Sequence, residues 1–327
     1  MKNKLAIVKS IQSNENEDSL GQVPFFLLKS VAFLEALTAM ISIDARTRPV
    51  YEKSIKIGEH VFFVLQSTEL LGITQMITTL LLTCNETFKA SAPSSASSMV
   101  LPQTILSLTI FSIKVLNNLM RMDIGVVQHM MFDLNEQLYH LLSFILSYTE
   151  TNIDESDDVK ELLHETLIFI GYFCLLNEAN QKTLQRGENS ILQKLCNLPF
   201  TYFMDKKLKE ILFPTLVTAG YLNERSVAIM DQEMNMTEFL VKYIETNIAE
   251  ELPKIMEQEQ EYFSDHTKSM SSFGRTRSPS QHSTGSNSNQ SVQMDFLSGN
   301  NPYLPLVMRF PKNLWKDASQ YFKSKAD

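Results

Sequence analysis

The chain has 327 residues, of which 44% are hydrophobic and 20% are charged, and its formal net charge is −8 at pH 7. This composition is ordinary for a soluble globular protein. The acidic balance argues against a general nucleic-acid binder, and no DNA partner is expected, because affinity for phosphate comes mostly from Lys and Arg. The sequence has only 10 Gly and 11 Pro, several of them in loops, which favours helices over a β-sandwich.

The three cysteines indicate the redox compartment. Cys84, Cys174 and Cys196 are widely spaced, each lies in an apolar helical context, and no pair has CxxC spacing. Buried thiols in a reduced, intracellular protein are the favoured interpretation, and no zinc site within this chain is expected. The most apolar stretches all contain charged side chains, so the sequence predicts no transmembrane segment.

The first half of the chain has the pattern of successive apolar helices. Residues 1–20 are polar and are expected to be flexible. Apolar runs then predict helices at 25–43, 51–67, 70–84, 103–117, 123–132 and 136–148. A turn at 44–49 and a small-residue loop at 91–98 are expected between them.

An acidic run separates the two halves. Six acids and one lysine lie between Glu150 and Glu161. They predict a solvated loop and a helix N-terminus, where carboxylates complement the helix dipole. An acidic docking site is the alternative interpretation.

The segment 162–230 has the order of elements typical of a helical repeat. Apolar residues recur at spacings of four, three and four, the period of one helical face, at Leu163, Leu167, Ile170 and Cys174. Apolar residues also cover the other faces, which predicts a helix sandwiched between neighbours.

The elements after this helix complete one repeat unit. An Asn-rich turn at 177–180 leads into a short helix at 181–186, and Gly187 is suited to a left-handed C-cap. A longer helix at 191–198 follows and ends at Pro199.

A second copy of this order is expected 46 residues later, where Asn223-Glu224 corresponds to Asn177-Glu178. Periods of about 40–47 residues belong to armadillo and HEAT arrays. Pro214 lies inside an apparent helix of the second copy and requires either a kink or a break there.

The composition changes after residue 262. Residues 263–295 are rich in Ser and Asn and poor in aliphatic residues, so they predict a disordered loop. Order returns in 296–327, where the final helix has an apolar face formed by Leu314, Trp315, Ala318, Tyr321 and Phe322. We expect this C-terminal segment to pack back onto a helical array formed by 21–262.

No motif of a known catalytic site is present. The P-loop, GxGxxG and GxSxG patterns are absent. His164-Glu165 begins like the zinc-protease HExxH motif, but Ile168 takes the place of the second metal ligand. His129 and His140 have no carboxylate at ligand spacing. We therefore expect a non-enzymatic protein without cofactor or metal.

Three lysines and two asparagines are candidate partner contacts. Lys206, Lys207 and Lys209 follow an aromatic group and form a cationic cluster, which either contacts phosphate or RNA or is a solvated helix face. Asn180 and Asn223 lie at repeat turns, where such side chains bind a partner's backbone or only cap their own helices.

One serine is a candidate phosphosite. Ser278 is followed by Pro279 and preceded by two arginines in the Ser-rich stretch. Phosphorylation there would add negative charge that creates or breaks a contact.

Several segments carry a family resemblance. HETLIFIGYF, NQKTLQ, ILQKLCNLPFTYF and KKLKEILFPTLVTA resemble the C-terminal region of the family of S phase cyclin A-associated proteins in the endoplasmic reticulum, in the family's order. The closing RFPKNLWKDASQYFKSK is similar to the end of that family's sequence. These matches cover mainly 162–240 and 303–325, whereas 21–150 fits by type and position. The stretch from Ser264 to Ser291 looks like a lineage-specific insertion.

This resemblance implies a cytosolic scaffold, peripheral at the cytosolic face of the endoplasmic reticulum, with an all-helical, armadillo-like C-terminal module. The family is linked to cyclin A and its kinase in cell-cycle control. It is also linked, through a ribosome-bound adaptor, to ribosomes making tubulin, where it recruits a deadenylase complex for mRNA decay. The family's N-terminal portion with its C2H2-type zinc finger has no counterpart here, so zinc binding, cyclin binding and deadenylase recruitment are not carried over if they reside in that portion. A cyclin-docking pattern is approached only at Lys312-Asn313-Leu314-Trp315, whose apolar residues the final helix is expected to bury.

We therefore interpret the chain as a non-enzymatic adaptor module that recognises a protein or ribonucleoprotein on a concave surface, the default use of helical arrays. The alternative is a purely structural or self-association platform of a larger scaffold. An enzyme would require a cleft in which several perturbed titratable groups converge.

Overall fold

A computed structural model describes residues 25–47, 72–91, 100–246 and 312–326. Within these ranges the side chains of 43–47, 82–91 and 312–313 are not described. The described residues form helices and no strand, which confirms the predicted all-α class. Ser278, the expected flexible N-terminus at 1–20 and the expected disordered loop at 263–295 lie outside the described residues.

The described helices follow one another with short connections. In chain order they are α1 (Phe25–Thr47), α2 (Gly72–Ser91), α3 (Gln103–Met122), α4 (Ile124–Met130), α5 (Asn135–Asn152), α6 (Asp157–Cys174), α7 (Glu178–Leu184), α8 (Ile191–Cys196), α9 (Thr201–Met204), α10 (Lys206–Gly220), α11 (Glu224–Met234), α12 (236–246) and α13 (Lys312–Ala326). A single 3-10 turn, Phe132–Leu134, lies between α4 and α5.

Several helices are longer than their apolar patterns predict. The predicted end of α3 at Asn117 is wrong, because Asn117 and Asn118 are buried and hydrogen-bonded inside a helix that continues to Met122. The predicted turn at 44–49 is also wrong in its first part, since α1 continues to Thr47. Helix α1 ends close to Pro49, because a proline disfavours the helical conformation of the residue that precedes it.

The chain divides into two compact units. Unit 1 comprises the described residues up to Phe173 together with Lys182–Lys194, and unit 2 comprises Cys174–Gln181 together with the described residues from Leu195 onward. The armadillo or HEAT arrangement predicted for 21–262 stays a prediction.

Unit 1 has a largely aliphatic core with amide groups built into it. Helix α1 packs on α3, and α2 packs on α3 and α5. The Asn117 amide nitrogen donates to the Glu165 carboxylate at 2.8 Å, which links α3 to α6. The Asn118 amide nitrogen donates to the Thr38 hydroxyl at 3.2 Å, which links α3 to α1. Residues 165–173 of α6 are all buried, as the sandwiched pattern predicts.

The segment 182–194 joins unit 1 through contacts with α5. The Arg186 guanidinium lies 2.5 Å from the Glu136 carboxylate. The Lys194 ammonium donates to the Ser143 hydroxyl at 2.8 Å. Gly187 between them has a φ of 81°, which confirms the predicted left-handed position.

Unit 2 repeats one turn design at the two predicted Asn positions. Leu176 and Leu222 precede these turns and have left-handed φ values of 52° and 59°. The Asn177 side chain then accepts from the backbone N–H of Asn180 at 3.1 Å, and the Asn223 side chain accepts from Ser226 at 3.0 Å. The predicted correspondence between these segments therefore holds for the local backbone.

Helix α10 runs unbroken through Pro214. The predicted alternative of two short helices separated at this proline is therefore wrong. Ten consecutive buried residues, Ile211–Gly220, surround the position. Their packing offsets the backbone hydrogen bond that a proline cannot donate.

The final helix, α13, packs on α10 and α11 within unit 2. Trp315 and Phe322 are 1% and 0% exposed. The Phe322 ring lies 3.2 Å from the point where a β-carbon on Gly220 would be. At the surface, the Lys325 ammonium lies 2.6 Å from the Glu224 carboxylate. The apolar part of the cyclin-like pattern, Leu314-Trp315, is therefore buried.

Two described helices are long and apolar enough to cross a membrane, which the sequence did not lead us to expect. They are Phe25–Ser42, with a mean hydropathy of 1.7, and Gln103–Met122, with 1.2. The second is 72% buried, as expected of a core helix, and the first is 28% buried. A buried core helix and a membrane-spanning helix can have the same length and apolar composition.

Candidate partner-binding groove

The three predicted lysines lie at the start of α10. Asp205 is the N-cap, and its carboxylate accepts from the backbone N–H of Lys207 at 2.9 Å and of Leu208 at 3.1 Å. Lys206, Lys207 and Lys209 therefore all fall in the first helical turn. This turn has no acidic residue.

This placement concentrates positive potential at one helix end. The N-terminus of a helix already has a partial positive charge, so cations there are unfavourable for the helix itself. None of Lys206, Lys207 and Lys209 forms an ion pair with a carboxylate of the described residues. The cluster is therefore not explained by stabilisation of its own helix.

Two of these lysines line a groove in unit 2 with a volume of about 540 Å³. We call it the basic-aromatic groove, and its lining is Phe203, Met204, Lys206, Lys209, Glu210, Phe213, Phe239, Lys242, Tyr243 and Thr246. These residues come from α9, α10 and α12. Lys207, the third predicted lysine, is exposed beside the groove and does not line it.

The floor of the groove is a cluster of aromatic rings. The centroid of Phe213 lies 6.3 Å from that of Phe203 and 5.0 Å from that of Tyr243. All three residues are at most 9% exposed. The Lys209 ammonium lies 5.9 Å from the Phe213 ring centroid, within the range of a cation–π interaction. The floor is thus already packed.

The rim of the groove combines exposed apolar and cationic groups. Met204 is 60% exposed and Phe239 is 49% exposed, so two large apolar side chains face water in the lining of one groove. Lys206 and Lys242 are exposed as well. Sequence reasoning missed Phe239 and Lys242, because they follow the lysine cluster by some thirty residues and only the tertiary fold of unit 2 places α12 beside α10.

The two candidate asparagines are buried within unit 2. Asn180 is 1% exposed and Asn223 is 7% exposed. Asn223 caps α11, and its amide nitrogen donates to the Gln181 side chain at 3.2 Å. Capping, one of the two roles weighed for these residues, is what the structure shows for Asn223. In this conformation neither asparagine lies in the basic-aromatic groove, so the structure does not bring them together with the lysines.

The residues considered for chemistry lie in apolar surroundings. Burial raises the pKa of the Cys196 thiol to about 12, with a further contribution from Glu233 and Asp231, and burial also raises that of Cys174. Such thiols are unreactive. Burial, followed by the nearby Lys160, lowers the pKa of His164 to about 4. In the part of the chain that the structure describes, no three His, Cys, Asp or Glu residues lie close enough to hold a metal ion.

Comparison with known proteins agrees with the resemblance predicted from the sequence. No family model matches the chain. The chain is 26% identical over 316 residues to the human S phase cyclin A-associated protein in the endoplasmic reticulum, and the alignment covers 94% of this chain. The chain spans about a fifth of the length of that relative, 19%. The predicted resemblance is therefore confirmed: the chain is similar, as a distant relative, to one region of the S phase cyclin A-associated protein in the endoplasmic reticulum.

Proposed function

We propose that the chain is a non-enzymatic adaptor module that binds a protein partner through the basic-aromatic groove. The observation that supports this proposal is the rim of the groove, where exposed Met204 and Phe239 lie beside Lys206 and Lys242. Aromatic side chains and Met are enriched at the core of protein interfaces, and the surrounding rim is polar. The solvated helix face, the simpler interpretation of the lysines, does not account for the exposed apolar groups.

The name of the relative suggests where such an adaptor acts. That protein is associated with cyclin A and with the endoplasmic reticulum. We propose that this chain likewise serves a cytosolic complex at the endoplasmic reticulum, with cyclin A and its kinase as the first partners to test. A purely structural or self-association role is the alternative, and it requires no occupant for the groove.

A second candidate is an adaptor for ribosomes, which the resemblance implies through tubulin mRNA decay. The observation in its favour is the cluster of Lys206, Lys207 and Lys209, of which the first two are exposed, because ribosomal RNA presents a dense array of phosphates. Both candidates use the same face of unit 2 and differ in the chemistry of the partner.

A capture experiment from cytosol tests the proposal. The immobilised chain is compared with a Lys206→Glu/Lys207→Glu/Lys209→Glu variant, and the retained material is assayed for cyclin A and for ribosomal proteins. We expect the variant to lose the partner that the wild type retains, by about tenfold or more, since several charge contacts reverse sign together. The variant should fold well, because carboxylates are favourable in the first turn of a helix.

A charge-matched variant serves as the control. Lys29→Glu/Lys160→Glu/Lys316→Glu changes three exposed lysines that do not line the groove and has the same net charge as the test variant. It should retain partners like the wild type. If both variants lose the partner equally, overall charge explains binding and the groove does not. If the wild type retains neither cyclin A nor ribosomal proteins, the structural role replaces the adaptor role.

A further inference from the structure

We infer that the basic-aromatic groove accepts a short acidic peptide segment with one or two bulky apolar side chains as anchors. This inference rests on the proposed function and specifies the chemistry of the partner. It does not depend on which complex supplies the peptide.

The apolar part of the rim defines the anchor. Met204 and Phe239 expose 60% and 49% of their surfaces to water while the rings beneath them are packed. An aromatic or aliphatic side chain placed between them would remove apolar surface from water on both sides. Met204 suits an anchor of variable shape, because methionine is flexible and polarizable.

The charged part of the rim defines the flanking residues. Lys206 and Lys209 lie on α10 and Lys242 lies on α12, so cations from two helices line the groove together with Met204 and Phe239. Carboxylates before and after the anchor would meet them at the same time. The groove is thus complementary to an apolar anchor flanked by acidic residues and not to a uniformly apolar helix.

Single-stranded RNA fits the same groove less well. The floor rings Phe203, Phe213 and Tyr243 are at most 9% exposed, so they offer no free face on which a base could stack, and Phe239 is the one aromatic residue of the lining left for stacking. Glu210 also belongs to the lining. A continuous phosphate backbone would pass this carboxylate, whereas a peptide with separate acids can avoid it.

Fluorescence anisotropy with defined probes tests the inference on the full chain. The probe is a fluorescein-labelled peptide DEDEFLDEDE, compared with the anchorless peptide DEDESSDEDE, the neutral peptide NQNQFLNQNQ and a labelled oligouridylate of the same length. We expect the acidic, anchored peptide to bind at least about tenfold more tightly than each of the others. Raising the salt from about 50 to about 500 mM should weaken its binding, because exposed charges are screened.

Variants of exposed residues locate the binding to the groove. Met204→Ser/Phe239→Ser should weaken the anchored peptide by about tenfold and leave the anchorless one unchanged. Phe200→Ser is the matched control, because Phe200 is 67% exposed in the same unit and does not line the groove. Lys206→Glu/Lys209→Glu should weaken both acidic peptides.

The possible results separate this inference from the proposed function. Tighter binding of oligouridylate than of the acidic, anchored peptide would overturn the inference and favour the ribosomal candidate. Equal binding of the anchored and anchorless peptides, or no loss in Met204→Ser/Phe239→Ser, would also overturn it. In either case, a lysine-dependent capture of cyclin A would leave the proposed function standing.

Discussion

At the residue scale, one lysine in unit 1 lies close to several carboxylates and balances their charge. The Lys114 ammonium of α3 forms an ion pair with the Glu161 carboxylate of α6. Burial by itself lowers the pKa of Lys114, but the carboxylates of Glu165 and Glu161 outweigh it, with a smaller contribution from Glu35, and the net effect raises that pKa. The lysine therefore remains charged in the fold and supplies a counter-charge near the buried side chains of Glu35 and Glu165.

Removal of this cation should destabilise unit 1. In Lys114→Met the neighbouring carboxylates lose their shared counter-charge, and the free energy of unfolding should fall by about 2 kcal/mol. This loss is measured by urea unfolding, monitored by circular dichroism. Lys160→Met is the control: its partner Asp157 is 99% exposed, so the expected loss is below about 0.5 kcal/mol. Equal losses in both variants would contradict a special role for Lys114.

The Asn turns show that residue type and spacing predict a turn but not every backbone conformation within it. The Asn-rich turns at 177 and 223 were predicted from composition, and the side chains of Asn177 and Asn223 each accept a backbone N–H there. The left-handed conformation of Leu176 and Leu222 was not predicted, because a residue with a β-carbon disfavours it. Only the surrounding fold imposes this conformation.

At the element scale, the docking of α13 depends on a close approach at Gly220. A β-carbon there would meet the terminal methyl of Met230 and would lie 3.2 Å from two ring carbons of Phe322. These contacts place the end of α10 directly against α11 and α13. The absence of a side chain at this one position allows the three helices to meet.

Gly220→Ala should therefore loosen α13. Overpacking of this kind costs about 1 to 3 kcal/mol. Trp315, the only tryptophan of the chain, is buried on α13, so its fluorescence reports the docking directly. We expect the urea midpoint measured by this fluorescence to fall.

Gly72→Ala is the matched control for this variant. A β-carbon at Gly72 meets nothing within 4 Å, and the position begins a helix, so the change should be neutral or slightly stabilising. A Gly220→Ala variant with the wild-type midpoint would show that α11 and α13 adjust without cost.

At the scale of the whole molecule, stability should depend on pH through His164. Its folded pKa of about 4 lies below the unfolded value of 6.5, because burial disfavours the charged form. The unfolded state therefore binds more protons between these values. The resulting stability is fully present above pH 6.5 and is lost as the pH falls toward 4.

We expect the free energy of unfolding to fall by roughly 1 to 2 kcal/mol between pH 7 and pH 5. His164→Gln cannot be protonated there and should flatten this dependence, as measured by urea unfolding at each pH. His129→Gln, at an exposed position, should keep the wild-type slope. The same slope in His164→Gln and wild type would exclude His164 as the cause.

At the same scale, the net charge of the chain is a poor guide to what it binds. The chain has a net charge of −8, yet Lys206, Lys209 and Lys242 converge on one groove. Net charge sums over all residues, whereas a partner responds to the local potential. The lysine cluster was visible in the sequence, but its apolar counterpart was not.

The sequence by itself determined the all-α class, the Asn turns, the left-handed Gly187 and the distant relationship, because each depends on local periodicity, local backbone preference or residue identity. Only the tertiary structure decided that α10 passes through Pro214, that Asn180 and Asn223 are buried, and that Phe239 and Lys242 lie beside Lys206. These features depend on packing between segments distant in the chain, and the period of a single helix contains no information about which helix will be its neighbour.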